Sequence, residues 1–138
     1  MTVADSIEQT RAQQLVDQLI TAARNQFGKP VCVAVCDTYG FLIAFGRADG
    51  APVRSIAISQ QKAYTCARIG STTAAFHQRL QRESMPIGYF CDPLLTAMAG
   101  GALLHDDDGH VIGAVGISGL APDQDQQIAD GGNAALNA

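Results

Sequence analysis

The fold is decided by residues 31–52, VCVAVCDTYGFLIAFGRADGAP, in which two strand patterns flank a tight turn. Residues 31–36 are apolar at every position, which is typical of a strand that is buried on both faces. Residues 37–40 form the turn and end in a glycine that is free to adopt positive φ. Residues 41–45 return as a second strand, and Pro52 suits the first turn of a helix. The segment therefore predicts a β-hairpin followed by a helix.

The same arrangement recurs later in the chain. Residues 101–104 are a short apolar run, and HDDDG at residues 105–109 is an acidic turn that ends in glycine. Residues 110–117 run back as a strand, and Ala121 and Pro122 open another helix. We interpret the two hairpins as copies of one unit. The alternative is that any α+β protein with two hairpins would show this pattern.

Amphipathic spacing and helix-ending glycines predict four helices around these hairpins, over residues 5–27, 52–69, 74–84 and 122–136. The predicted order is α-β-β-α-α-β-β-α. Two hairpins make an antiparallel sheet that helices must cover, so the fold class is α+β. At this length, we expect one domain over residues 1–138. Residues 85–99 show no interpretable pattern.

Composition excludes several classes of protein. The chain has 138 residues, of which 47% are hydrophobic and 16% charged, as expected of a folded domain rather than a disordered one. Its net charge of -4 and lack of a basic patch argue against nucleic-acid binding. No apolar run is long enough for a membrane helix, and the polar N-terminus does not resemble a signal peptide. We therefore expect a cytoplasmic protein with neither nucleic acid nor membrane as a partner.

The four cysteines do not predict a disulfide or a metal site. Cys32 and Cys36 lie on one face of a strand, about 13 Å apart at ~3.3 Å per residue, which is too far for a disulfide. Their spacing does not match a zinc site, and no second pair complements it. We therefore expect free thiols and no metal, with Cys32 and Cys36 in the core and Cys91 the most accessible.

Two cations are the leading candidates for ligand binding. Arg47 ends an otherwise apolar strand beside a turn, where binding groups often gather, and Lys62 lies among residues that look half-buried. With Asp49 and Gly50, these cations are predicted to hold a carboxylate. The alternative is that Arg47 pairs with Asp49 or another acid, and that Lys62 is on the surface. Weaker candidates are His77, Cys91 and Asp125.

Several motifs together resemble the GlcG/HbpS family (DUF336), also called the haem-degrading domain family. The first half contributes Val35-Cys36-Asp37 with Gly40, FGRADGAP at residues 45–52, and Lys62-Ala63. The second half contributes Gly100-Gly101, DGHVIGAVGISG at residues 108–119, Asp125 and Ala129. The resemblance covers nearly the whole chain, from about residue 7 to residue 136.

The resemblance implies a profilin-like or GAF-like α+β fold, a homo-oligomer, and a small-molecule ligand. Some members bind haem or act in a tetrapyrrole context, so haem is the candidate cofactor. Residues 85–99 match no family motif and are a candidate wall of the pocket. Two alternatives remain: a cofactor-free enzyme in a catabolic pathway, acting on a small carboxylated metabolite that Arg47 and Lys62 would anchor, and an accessory subunit without a ligand.

Overall fold

The computed structural model of the protein describes residues 6–138. Its helices are α1 (Gln9–Phe27), α2 (Arg54–Ile69), α3 (Thr73–Arg82), α4 (Pro122–Asp130) and α5 (Gly132–Leu136), with a 3-10 helix at Ile87–Phe90. Its strands are β1 (Cys32–Cys36), β2 (Leu42–Arg47), β3 (Gly101–His105) and β4 (Val111–Ser118). In the described residues, no helix has the length and apolar character needed to cross a membrane.

The four strands form one antiparallel sheet in the order β2-β1-β4-β3. This confirms the α+β class and the two predicted hairpins. The closing helix is in fact two helices, which meet at Gly131. The first helix begins at Gln9 rather than at Asp5, which lies outside the described residues.

Helices cover both faces of the sheet, as the doubly apolar pattern of β1 predicts. Val33 and Val35 belong to the larger core cluster, which includes residues of α1, α4 and the other strands. Ala34 and Cys36 point to the opposite face, where they pack with α2. Alternation along a strand sends neighbouring side chains to opposite faces, so β1 joins two apolar layers.

Glycines let α2 lie unusually close to the sheet. A Cβ on Gly116 in β4 would clash with the Ser59 carbonyl oxygen, and one on Gly101 in β3 would lie 2.7 Å from the Lys62 carbonyl oxygen. These strand glycines are therefore sites of close approach between backbones.

The two hairpin turns have the same hydrogen bonds, which supports the interpretation of a repeated unit. In each turn one aspartate oxygen accepts two backbone N–H groups, and the glycine has positive φ (95° at Gly40, 84° at Gly109). The acceptor is Asp37 Oδ1 for Tyr39 and Phe41, at 2.8 and 3.0 Å, and Asp106 Oδ1 for Asp108 and His110, both at 2.9 Å. The helices that follow differ, because α2 and α4 pack with different core clusters.

Side chains cap the outer edge of β3. Gly101, Leu103 and His105 turn their backbone groups away from β4. Side-chain amide and hydroxyl groups of α3, α4, α5 and Asn137 bond five of these groups. The bonds are Gly101 N to Thr73 Oγ1, Gln126 Nε2 to Gly101 O, Asn133 Nδ2 to Leu103 O, His105 N to Asn133 Oδ1, and Asn137 Nδ2 to His105 O, at 2.7–3.2 Å. An edge occupied in this way is protected against strand addition.

Candidate functional site

A groove lies between the first hairpin and α2. It has a volume of about 410 Å³, and its walls come from β1, the first turn, β2, α2 and the segment before β3. Its lining residues are Cys36, Gly40, Phe41, Leu42, Ile56, Ala57, Gln60, Gln61, Ala63, Tyr64 and Leu94. Phe41, Leu42 and Leu94 leave 64%, 51% and 48% of their surface exposed. Large apolar side chains thus face water around a concave surface, which is typical of a ligand site.

One face of α2 forms the floor of the groove. Ile56, Gln60 and Tyr64 follow one another at four-residue spacing, so they share a side of the helix. Gln60 Nε2 donates to the Ile56 carbonyl oxygen at 3.0 Å. The groove therefore combines apolar and aromatic surface with side-chain amides.

The segment of residues 91–99 closes one side of the groove. Tyr64 donates its hydroxyl to Asp92 Oδ2 at 2.7 Å, and the other Asp92 oxygen accepts the Leu94 amide at 3.1 Å. A second tether runs from the Thr96 amide to Thr65 Oγ1, at 2.9 Å. Neighbouring residues of α2 thus hold this segment where Leu94, the one lining residue from the 85–99 range, meets the groove.

The hydrogen bond between Tyr64 and Asp92 changes how both groups titrate. Donation to the carboxylate raises the pKa of Tyr64 above its ordinary value and lowers the pKa of Asp92. Both shifts favour the neutral phenol and the ionised carboxylate, which is the pair of states that the bond requires. The tether is therefore present throughout the neutral range of pH.

Lys62, one of the predicted ligand residues, lies inside the protein and not in the groove. Its side chain is fully buried, and Nζ donates to the Ile117 carbonyl oxygen at 2.7 Å and to Asp125 Oδ2 at 3.0 Å. Asp125 Oδ1 accepts the Leu120 amide at 3.0 Å, so the carboxylate is satisfied on both oxygens. The structure thus brings Lys62 and Asp125 together, but as a buried ion pair between α2 and α4.

Burial dominates the electrostatics of this pair. Desolvation lowers the pKa of Lys62 and raises the pKa of Asp125, and the attraction between them offsets only part of each shift. Because both shifts oppose ionisation, the pair is weak support for stability compared with apolar packing. Its evident structural role is to hold α4 against α2 and the end of β4.

The remaining predicted residues lie elsewhere on the surface. Arg47 is exposed and donates to the Ala51 carbonyl oxygen at 3.3 Å, in the connection between β2 and α2. Asp49 and Gly50 are exposed in the same connection, where Gly50 has a φ of 87°. Arg47 and Lys62 therefore hold different partners and do not converge. Neither they nor Asp49 and Gly50 line the groove.

The weaker candidates are also separate from the groove. His77 is exposed on α3, and Cys91 is exposed directly after the 3-10 helix. The expected placement of the thiols is confirmed, since Cys32 and Cys36 are buried and Cys91 is exposed. The sequence analysis did not identify Phe41 and Leu42 as residues that line a groove together with Ile56 of α2. The available signal was a large apolar pair placed directly after a turn glycine.

A second group of polar side chains lies at the other hairpin. One potential ligand atom from each of Asp106, Asp108 and His110 falls within 4.8 Å of the others. One oxygen of Asp106 already accepts two backbone amides of the turn, and Asp108 and His110 are exposed. The hydrogen bonds of Asp106 to the Asp108 and His110 amides are those that form the hairpin turn.

Haem iron would need a histidine, thiolate, methionine or tyrosine ligand. The groove lining offers only Cys36 and Tyr64 as such donors. Burial, with the nearby charge of Asp37, raises the pKa of Cys36 to about 12, so the thiol stays protonated. The Tyr64 hydroxyl is held by Asp92. The lining residues thus suit the apolar body of a porphyrin and do not suit its iron.

Comparisons with known proteins agree with this fold. The sequence model of a family described as "Haem degrading protein HbpS-like" matches residues 7–134. Protein GlcG of Escherichia coli K12 is 34% identical over 110 residues, which cover 78% of this chain and 80% of GlcG.

Two solved structures extend the likeness to three dimensions. A double mutant of Streptomyces reticuli HbpS superposes with a TM-score of 0.87 at 26% identity, covering 100% of this chain and 92% of that one. The PduOC protein, solved as a complex with haem, gives a TM-score of 0.82 at 25% identity and 96% coverage of both chains.

Proposed function

This chain belongs to the HbpS-like family, and we propose that it binds a small molecule of the tetrapyrrole class, with haem as the first candidate, in the groove beside α2. The family description and the haem complex of a similar protein support this choice of ligand class. The resemblance in fold extends along the whole chain, so the elements that form the groove all fall within it.

The observation that carries the proposal is the apolar groove itself. Its volume of about 410 Å³ lies within the ~300–1,000 Å³ that is usual for small-molecule sites. Phe41, Leu42 and Leu94 are about half exposed or more, so a flat apolar ligand would bury surface that now faces water. Removal of apolar surface from water is the main source of affinity for such ligands.

The proposal concerns the porphyrin body rather than the metal. Since the groove lining offers no ionised thiol and no imidazole, affinity here is expected to come from contacts with the ring. Metal-free protoporphyrin IX should therefore bind about as well as haemin. Equal affinities for protoporphyrin IX and haemin would distinguish this groove from a site whose affinity comes from iron coordination.

The experiment is a titration of the purified protein with haemin, followed by absorbance, and with protoporphyrin IX, followed by fluorescence. Leu42→Ser should weaken both by about tenfold, because it removes apolar contact at the groove wall. Val111→Ser is the matched control, since Val111 is the exposed residue at the corresponding position of the second hairpin, outside the groove. A wild-type protein that binds neither porphyrin, or an equal loss in both variants, would refute the proposal.

A further inference from the structure

Arg68 stands at the end of the groove nearest the first turn. It lies in the last turn of α2, and its guanidinium carbon is 4.8 Å from the centre of the Tyr64 ring. Its Nε donates to the Tyr39 carbonyl oxygen at 2.6 Å. A Cβ built on Gly40 would lie 3.5 Å from the same nitrogen. The guanidinium therefore lies beside the groove, between the first turn and the lining residue Tyr64, and Arg68 is not itself a lining residue.

These contacts fix the guanidinium but leave most of its donors available. An arginine carries five N–H donors in a planar fork, and Nε supplies only one. Within residues 6–138, the Nη groups of Arg68 have no hydrogen-bond partner, and the side chain forms no ion pair. An arginine held over an aromatic ring and by one hydrogen bond is already ordered for a planar acceptor such as a carboxylate.

The other lysines and arginines with described polar contacts are placed differently. Lys62 is sealed inside the protein against Asp125, and Arg47 donates to a backbone carbonyl beyond β2. Arg79 pairs with Glu83, and Arg11 donates to the Leu136 carbonyl oxygen. None of these four lines the groove. Arg68 is not a lining residue either, but its guanidinium lies over the ring of Tyr64, which is one.

The acidic group near Arg68 is Asp92, and it does not neutralise the cation directly. Its two carboxylate oxygens are held by the Tyr64 hydroxyl and the Leu94 amide. The charge of Arg68 helps to lower the pKa of Asp92. Within the described residues, however, the two side chains do not form an ion pair. A ligand carboxylate can thus reach Arg68 without displacing a partner.

We infer that Arg68 binds a carboxylate of the ligand, so that the groove selects a flat apolar molecule with an acidic group at one edge. This inference rests on the proposed function and adds that the ligand carries a carboxylate, which Arg68 binds. A porphyrin with propionate groups meets both requirements. An uncharged molecule of the same shape meets only the first.

The test compares protoporphyrin IX with its dimethyl ester, in which both carboxylates are masked. Arg68→Gln should weaken the free acid about tenfold to 100-fold and leave the ester unchanged, because only the acid forms a charged hydrogen bond. Arg68→Lys keeps the charge without the planar fork, so its loss should be smaller. Arg24→Gln is the matched control, since Arg24 is an exposed arginine in the last turn of α1.

The outcomes separate the two proposals. If the wild type binds both porphyrins and Arg68→Gln weakens them equally, Arg68 only supports Tyr64, and the carboxylate anchor is refuted while the groove stands. If Arg68→Gln changes neither affinity, the anchor is also refuted. Binding of neither porphyrin by the wild type removes the proposed function and the anchor with it. Selective loss of the acid, absent in Arg24→Gln, supports both.

Discussion

Tyr64 on α2 donates its hydroxyl to Asp92 at 2.7 Å, and this bond fastens the 91–99 segment to the helix that lines the groove. The segment has little regular structure of its own and turns at Cys91, a non-glycine residue with a φ of 56°. Its position therefore depends on side-chain tethers to α2. These tethers fix how far Leu94 reaches over the groove.

The first prediction concerns the pH range of this tether. The pKa of Tyr64 is raised. The stabilisation that the hydrogen bond gives through Tyr64 is therefore complete below pH 10 and is lost as pH rises through the raised pKa. The pKa of Asp92 is lowered. The stabilisation that the bond gives through Asp92 is therefore present above pH 3.8 and is lost as pH falls through the lowered pKa. An absorbance titration of tyrosinate should therefore show a lower pKa for Tyr64 in Asp92→Asn than in the wild type. An unchanged titration would show that the bond is not formed in solution.

The second prediction concerns the buried ion pair. Lys62→Met and Asp125→Leu should each cost about 3–5 kcal/mol, because each leaves an uncompensated charge inside the protein. The double variant should be more stable than either single one, since it removes both charges together. Urea unfolding measures these free energies. Arg79→Met is the control, because Arg79 and Glu83 form an exposed pair that should be worth at most about 1 kcal/mol.

If the losses of Lys62→Met and Asp125→Leu simply added in the double variant, the coupling between them would be absent. The ion pair would then be a consequence of the fold and not a determinant of it.

The third prediction concerns the contact between α2 and the sheet. Gly116→Ala should lower the free energy of unfolding by about 1–3 kcal/mol, because the added Cβ would meet the Ser59 carbonyl oxygen and force α2 outward. Gly88→Ala is the control, since a Cβ there meets no atom within 4 Å. Equal stability of the two variants would mean that α2 can move away from β4 without loss.

The fourth prediction concerns the thiols. Cys91 is exposed, whereas burial raises the pKa values of Cys36 and Cys66 to about 12. At pH 8 a thiol reagent should therefore label Cys91 rapidly and the other three cysteines only on unfolding. Mass spectrometry of the labelled peptides measures this order. Labelling of Cys36 before Cys91 in the native protein would contradict the packing between β1 and α2.

The fifth prediction concerns assembly. We expect a symmetric homo-oligomer, since the protein exposes large apolar side chains at Tyr39, Phe41, Val53 and Leu94. Light scattering at micromolar concentration measures the mass directly. A mass equal to one chain, 14.5 kDa, would rule this out.

Local chemistry explains what the sequence alone predicts correctly. The turn at Asp37 and Gly40 depends on neighbours within a few residues, as does the end of α1 at Gly28, whose φ is 67°. Such features are visible in any short window of sequence. The class of the sheet then follows, because two hairpins with apolar strands have few ways to bury their faces.

The candidate site was not predictable in the same way, because its parts meet only after folding. Arg47 and Lys62 looked alike in sequence, yet Lys62 finds its partner 63 positions later, in Asp125. The groove joins Leu42, Tyr64 and Leu94 from three separate stretches. The 91–99 segment has no periodicity, so nothing local indicated that it would lie over α2.

The capped edge of β3 has a consequence for how copies of this chain can associate. Thr73, Gln126, Asn133 and Asn137 occupy five of the backbone groups that a further strand would use. If two copies joined through β2, both outer edges of the combined sheet would be capped β3 strands. Edge-to-edge growth through the sheet would therefore stop at two chains.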